Sequence, residues 1–141
     1  MNLPDENQLL SREDFKRYVF LRAGDRCIFC PAAAVDAHHI LERKLFDDDG
    51  GYYLGNGAAV CDAHHWQCET TELSVETVRA AAGIRTPVLP AGFAAGKTYD
   101  KWGNELREDG CRVVGPLAED EGMLRALTRG RVRHLLIPAA D

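Results

Sequence analysis

Two pairs of metal-ligating side chains, each with two residues between its members, stand out in the chain: Cys27-Ile28-Phe29-Cys30 and Cys61-Asp62-Ala63-His64. This spacing lets a tight turn aim both members at one ion, and two such turns complete a tetrahedron, so a closed structural Zn²⁺ site is expected. A redox role for the first pair would leave the second pair without a reason and lacks a βαβ context. The fourth ligand has two candidates, His64 and Cys68, which lie four apart and on one face of a helix. His64 is preferred because it keeps the two-residue gap. Cys111 lies far from the cluster and is expected to be a small buried apolar residue.

Two histidine pairs fall in the same stretch, His38-His39 and His64-His65. On an extended strand, adjacent side chains point to opposite faces, so His38 and His39 cannot share one flat ligand set. One can hold a metal ion while the other activates water beside it. His65 and Glu69 stand four apart on one helix face, which suits a shared ion or phosphate. Asp36, two before His38, falls on the same strand face and is placed to orient or assist it.

These side chains need elements to hold them. Ser11 opens a helix over 11–24, with Asp14 three residues after the cap and Phe15, Val19 and Arg22 at helical spacing; Gly24 stops it. From residue 27 to 60 the texture is of short strands and loops, with 33–40 as one strand of a hairpin. The run Asp47-Asp48-Asp49-Gly50-Gly51 reads as a solvated loop, and Tyr52-Tyr53-Leu54 leads into a turn at Gly55-Asn56-Gly57. A helix over 63–70 follows, with Asp62 as its cap, and another over 74–82, with Ser74 as cap, Val75 and Val78 inward and Gly83 as stop. Residues 84–118 read as irregular or strand-like, 123–127 as a short helix and 132–137 as a strand or final turn.

The 141 residues, 45% hydrophobic and 28% charged, have the composition of one ordinary domain, and 1–141 is taken as such. No run of apolar residues is long enough for a transmembrane helix. The start, Met1-Asn2-Leu3-Pro4-Asp5-Glu6, lacks the basic-then-apolar order of a secretory signal, so the cytoplasm is the expected compartment and disulfides are not expected. The net charge of −5 is uneven. Residues 27–70 carry seven acids and two bases, and every other stretch balances. The acidic excess therefore coincides with the candidate ligands, where divalent ions would offset it.

Over 27–70, about a third of the chain, the residues resemble the HNH endonucleases, whose site is a ββα-metal finger. Asp36-Ala37-His38-His39-Ile40 is similar to the family's first motif, Asn56 to its middle Asn, and Cys61-x-x-His64-His65 to its last, in the variant where a zinc-ligating His replaces the second Cys. The implied fold is a small α+β protein: a zinc-stapled ββα-metal core over 27–70, an N-terminal helix and a C-terminal extension over 71–141. The implied activity is metal-dependent hydrolysis of DNA phosphodiester bonds, with RNA as the alternative substrate; because the chain offers only local Arg clusters and no basic face, a recruiting protein is a further expected partner. His39 then corresponds to the general base, His38 and His65 to ligands of a catalytic ion, and Asn56 to the residue that holds the base in orientation. Glu69 stands where the family often has His, and joins that ligand set with Asp36. Gly57 stands where the family usually has Leu, which implies a looser turn.

The chemistry fits these residue types. Phosphodiester hydrolysis needs an in-line nucleophile, neutralised phosphate charge and a stabilised leaving oxygen. A near-neutral imidazole can take the proton from water while one divalent ion on His38 and His65 meets the phosphate. Mixed imidazole and carboxylate ligation permits Mg²⁺ or Mn²⁺, and admits Zn²⁺ or Ni²⁺. Asn56 bonded to the second nitrogen of His39 would fix its tautomer, and its loss would cost activity without unfolding the protein. The rival reading is a zinc-knuckle module that binds nucleic acid or a protein without catalysis, which leaves His38, His39 and Asn56 unexplained.

Other features have plainer readings. His134 is taken as a surface or core residue, and Trp66 as core packing. Gly96-Lys97-Thr98 lacks the earlier Gly and the strand-to-helix context of a phosphate-binding loop. Arg125, Arg129, Arg131 and Arg133 form a basic stretch, and Arg12, Lys16, Arg17, Arg22 and Arg26 another; both are candidate phosphate contacts.

Overall fold

Ser11 accepts the Asp14 N–H at 3.1 Å through its hydroxyl and so starts helix α1 (Arg12–Arg22). The computed structural model describes residues 2–47, 50–123 and 125. Phe15 and Val19 form the buried stripe of α1. Arg22 continues that stripe inward, donating at 2.8 Å to the Leu54 carbonyl and also to that of Gly57.

Strands β1 (Asp36–His39) and β2 (Gly57–Val60) make an antiparallel pair in which Asp36 faces Val60 and His39 faces Gly57. β1 is shorter than the expected strand, because residue 33 makes only an isolated bridge back to Arg26. β2 is buried along its whole length. Its first residue must be small: a Cβ on Gly57 would lie 2.6 Å from Val19 and 2.7 Å from the Phe15 ring. The turn is therefore tightly packed against α1 rather than loose.

Helix α2 (Asp62–Glu69) follows directly. Its N-cap is Cys61 with no side-chain capping bond, so Asp62 is not the cap; it is the first helical residue, where its charge still complements the helix dipole. Helix α3 (Val75–Ala82) has the expected ends: Ser74 accepts the Thr77 N–H, and Gly83 takes a left-handed conformation at φ 75°. Val75, Val78 and Ala82 face the core.

Residues beyond α3 include a second, three-stranded antiparallel sheet, β3 (Thr98–Tyr99), β4 (Glu105–Leu106) and β5 (Arg112–Val113). The turn between β3 and β4 is anchored on Asp100, whose carboxylate accepts the N–H groups of Trp102 and Asn104 and the Asn104 amide. Gly103, at φ 83°, packs where a Cβ would strike Leu45 at 2.7 Å.

Among the described residues the protein is thus a small mixed α/β fold with two antiparallel sheets. Its larger core joins Ile40, Leu41 and Val60 to Val75, Val78 and Trp102, and a smaller one places Phe15 and Val19 against Ala59 and Leu54. Among the described residues no helix is long and apolar enough to cross a membrane. Most of the expected helix over 123–127, the element over 132–137, His134 and the arginines at 129, 131 and 133 lie outside the described residues, as do Asp48 and Asp49.

Candidate metal centres and the groove beside them

The four residues of the two spaced pairs converge. His64 Nδ1 lies 3.2 Å from Cys61 Sγ and 3.5 Å from Cys27 Sγ, and Cys30 Sγ lies 3.8 Å from Cys61 Sγ. A tetrahedron with zinc–sulfur bonds of about 2.3 Å has edges of roughly 3.8 Å, so three thiolates and one imidazole at these separations fit a Zn²⁺ ion. The soft donor set favours the same ion. Burial raises the Cys27 thiol, but bonds from backbone N–H groups of Cys61, Phe29 and Cys30 outweigh it and bring the thiol down to about 7, toward the ligating thiolate.

Cys68 is not part of this set. It packs in the apolar core at 2% exposure, where burial pushes its thiol up to about 12. On α2 it sits one turn beyond His64, and that turn carries it inward past the cluster. Cys111 is exposed rather than buried, because it sits beside Asp109 in the turn between β4 and β5. Trp66 is 51% exposed and is not core packing, since α2 turns its neighbours His65 and Cys68 inward instead.

A second cluster forms between β1 and α2 from His38, His65 and Glu69, whose ligand atoms lie within 4.8 Å of one another. Glu69 Oε1 is 2.9 Å from His65 Nε2 and 3.8 Å from His38 Nδ1, and the two rings meet edge to face at 5.2 Å. His38 is 2% exposed, and its Nδ1 is buried with no hydrogen-bond partner. A buried, unpaired imidazole nitrogen facing another imidazole and a carboxylate fits an ion that needs nitrogen and oxygen donors. Burial, and after it the Lys101 charge, hold His38 well below the ordinary imidazole value, so it offers a free lone pair. His65 is raised instead, by its hydrogen bond to Glu69.

Asp36 is not with these ligand atoms. Its carboxylate accepts the Ala37 N–H and lies 3.7 Å from Nδ1 of His65, the ring nitrogen remote from Glu69. Two residues along a strand carry it about 7 Å from His38, so it orients His65 from outside.

His39 points to the other face of the hairpin. Its ring stacks on Phe15 at 4.7 Å and 16°, with the Tyr52 ring edge-on at 5.1 Å. Burial, followed by the Lys101 charge, lowers it to about 4, so the imidazole is neutral at pH 7. Asn56, expected to hold this ring, directs its amide to the backbone instead. Its amide oxygen accepts the Leu41 N–H at 2.9 Å, and its amide nitrogen donates to the carbonyls of Leu41 and Gly51. The Asn56 carbonyl also accepts the Ile40 N–H. Asn56 therefore fixes the backbone just after His39, while aromatic rings fix the imidazole.

Both histidine faces open on one groove of about 820 Å³. Its floor holds His38, His39, His65 and Glu69, and its walls include Arg12, Lys16, Arg17 and Arg43. Arg22 and Arg26 are not groove cations. Both are engaged with backbone carbonyls, Arg22 at the hairpin turn and Arg26 at Pro31.

Sequence reasoning missed Phe15 and Tyr52 as supports of His39, and it missed Glu42 and Lys101 beneath the site. The inward stripe of α1 was the available signal for Phe15. Nothing local marked Lys101, which lies 62 residues beyond the His39 carbonyl that accepts from it. No family model, curated protein or solved structure matches the chain.

Proposed function

We propose that the protein is a metal-dependent endonuclease of the HNH type, built on a zinc-stapled ββα-metal finger, that hydrolyses phosphodiester bonds in DNA. One observation carries this reading. Neighbouring residues of one strand send His38 toward His65 and Glu69 and His39 toward Phe15, yet both line one groove whose rim carries Arg12, Lys16, Arg17 and Arg43 among the acids Glu13, Asp25 and Glu42. A purely structural zinc module has no use for the second cluster or for a neutral imidazole held apart from it.

A divalent ion on His38, His65 and Glu69 would supply charge stabilisation at a phosphate oxygen and at the leaving 3′ oxygen. The chain's own groups do the rest. His39, neutral and held by the Phe15 stack, takes a proton from water as the water oxygen bonds phosphorus. The bond from phosphorus to the 3′ oxygen then breaks, and that oxygen is protonated from solvent. Arg12, Lys16, Arg17 and Arg43 are placed to hold flanking phosphates, contacts that position a strand without reading its sequence. The seven acids of 27–70 repel a polyanion unless cations offset them, so both metal centres also serve binding.

The test is conversion of supercoiled plasmid to nicked or linear DNA with Mn²⁺ or Mg²⁺ present, against a chelator control and labelled RNA. His39→Ala is expected to abolish cleavage while zinc content and circular dichroism stay as in the parent. Undiminished cleavage by that variant would remove His39 as the base. Absence of metal-dependent cleavage by the parent protein, on DNA and RNA alike, would leave the binding-module reading in its place.

A further inference from the structure

We infer that Lys101, from the C-terminal extension, is a positioning residue of the second metal centre: its ammonium holds one oxygen of Glu69 so that the other is presented to His38 and His65. The inference rests on the reading of those three residues as the ligands of a divalent ion.

Lys101 is only 4% exposed. Its Nζ donates to the His39 carbonyl at 3.0 Å and to Glu42 Oε2 at 3.1 Å, and lies 3.9 Å from Glu69 Oε2. The three oxygens belong to the end of β1, to the loop after it and to the last residue of α2. One ammonium therefore ties together the two elements that carry the ligands. The oxygens of Glu69 are divided between it and the imidazoles, with Oε2 toward Lys101 and Oε1 toward His65 and His38.

The backbone around Lys101 supports the same function. The Trp102 indole N–H donates to the Glu69 carbonyl at 2.9 Å, so adjacent residues grip the main chain and the carboxylate of one ligand. The Glu42 N–H bonds the Lys101 carbonyl at 3.0 Å. The turn presenting both residues is locked by Asp100 and Asn104. A buried ammonium is costly to desolvate, and apolar packing commonly serves stability as well, so stability alone does not call for Lys here. Its charge also offsets the two carboxylates it faces, Glu42 and Glu69.

The test is Mn²⁺ titration of zinc-loaded protein by calorimetry, for the parent, Lys101→Met and the double variant Glu42→Gln/Lys101→Met. The double variant removes both members of the buried pair, which protects the fold if the single change does not. Expected are one Mn²⁺ bound by the parent and, in the folded double variant with full zinc content, affinity lower by about 10–100-fold. Equal Mn²⁺ affinity in that variant would overturn the role of Lys101 while leaving the metal centre standing. A double variant that cannot fold would overturn it too, assigning Lys101 to stability. A parent protein that binds no divalent ion beyond zinc would remove the centre itself.

Discussion

Replacing Asn56 separates two accounts of the residue, and the hydrogen bonds around it set the magnitude. Asn56 has no exposed surface, and its amide satisfies the Leu41 N–H and the carbonyls of Leu41 and Gly51. Asn56→Ala leaves that N–H buried without an acceptor and takes a donor from two carbonyls. Each orphaned neutral group costs about 1–3 kcal/mol, so with three groups affected a loss of at least about 3 kcal/mol is expected. Against a total of about 5–15 kcal/mol for a domain, this is a severe destabilisation. Asn56→Asp is expected to do no better, because it keeps the acceptor but turns an oxygen toward two carbonyl oxygens. The assay is urea unfolding of zinc-loaded protein followed by circular dichroism. A loss below about 1 kcal/mol together with abolished cleavage would refute the reasoning and restore Asn56 as a direct partner of His39.

Gly57→Ala is expected to cost about 1–3 kcal/mol, because its methyl group would enter the contact with Val19 and Phe15. Displacing Phe15 also disturbs the His39 stack, so plasmid cleavage should fall beyond what the unfolded fraction explains; an unchanged melting temperature would count against that close approach. His39 also ties stability to pH. Its value in the fold is about 4 against 6.5 when free, so between these the unfolded chain binds the proton and the folded one does not. The imidazole's contribution is therefore complete above pH 6.5 and drains away as pH falls toward 4. Parent protein should lose about 1–2 kcal/mol more than His39→Gln between pH 7 and pH 5 in urea titrations, and parallel losses would show the lowered value to be wrong.

Local geometry made part of this protein legible from sequence. The two spaced pairs meet because a two-residue gap within one turn is a short-range constraint, and α3 begins at Ser74 and ends at Gly83 for equally local reasons. Strand alternation alone separates His38 from His39. What was not legible depends on distant partners. The amide of Asn56 could face an imidazole or a backbone, and only the path of the chain around Leu41 decides between them. Arg22 shares the helical spacing of Phe15 and Val19, yet nothing in that spacing says that its guanidinium meets carbonyls 32 and 35 residues away. Asp36 sits on the predicted strand face but falls one repeat short of the ligand atoms, a matter of register with α2.

The guanidinium of Arg22 carries a practical corollary for anyone wishing to transplant the segment that holds the two side-chain clusters. A peptide cut at residues 27 and 70 would keep Cys27, Cys30, Cys61 and His64 yet strip the donor from the carbonyls of Leu54 and Gly57 and bare the ring face of His39 that Phe15 covers. A portable unit therefore begins upstream of the cysteines, with α1 and the residues before it whose backbone bonds Tyr52 and Gly55.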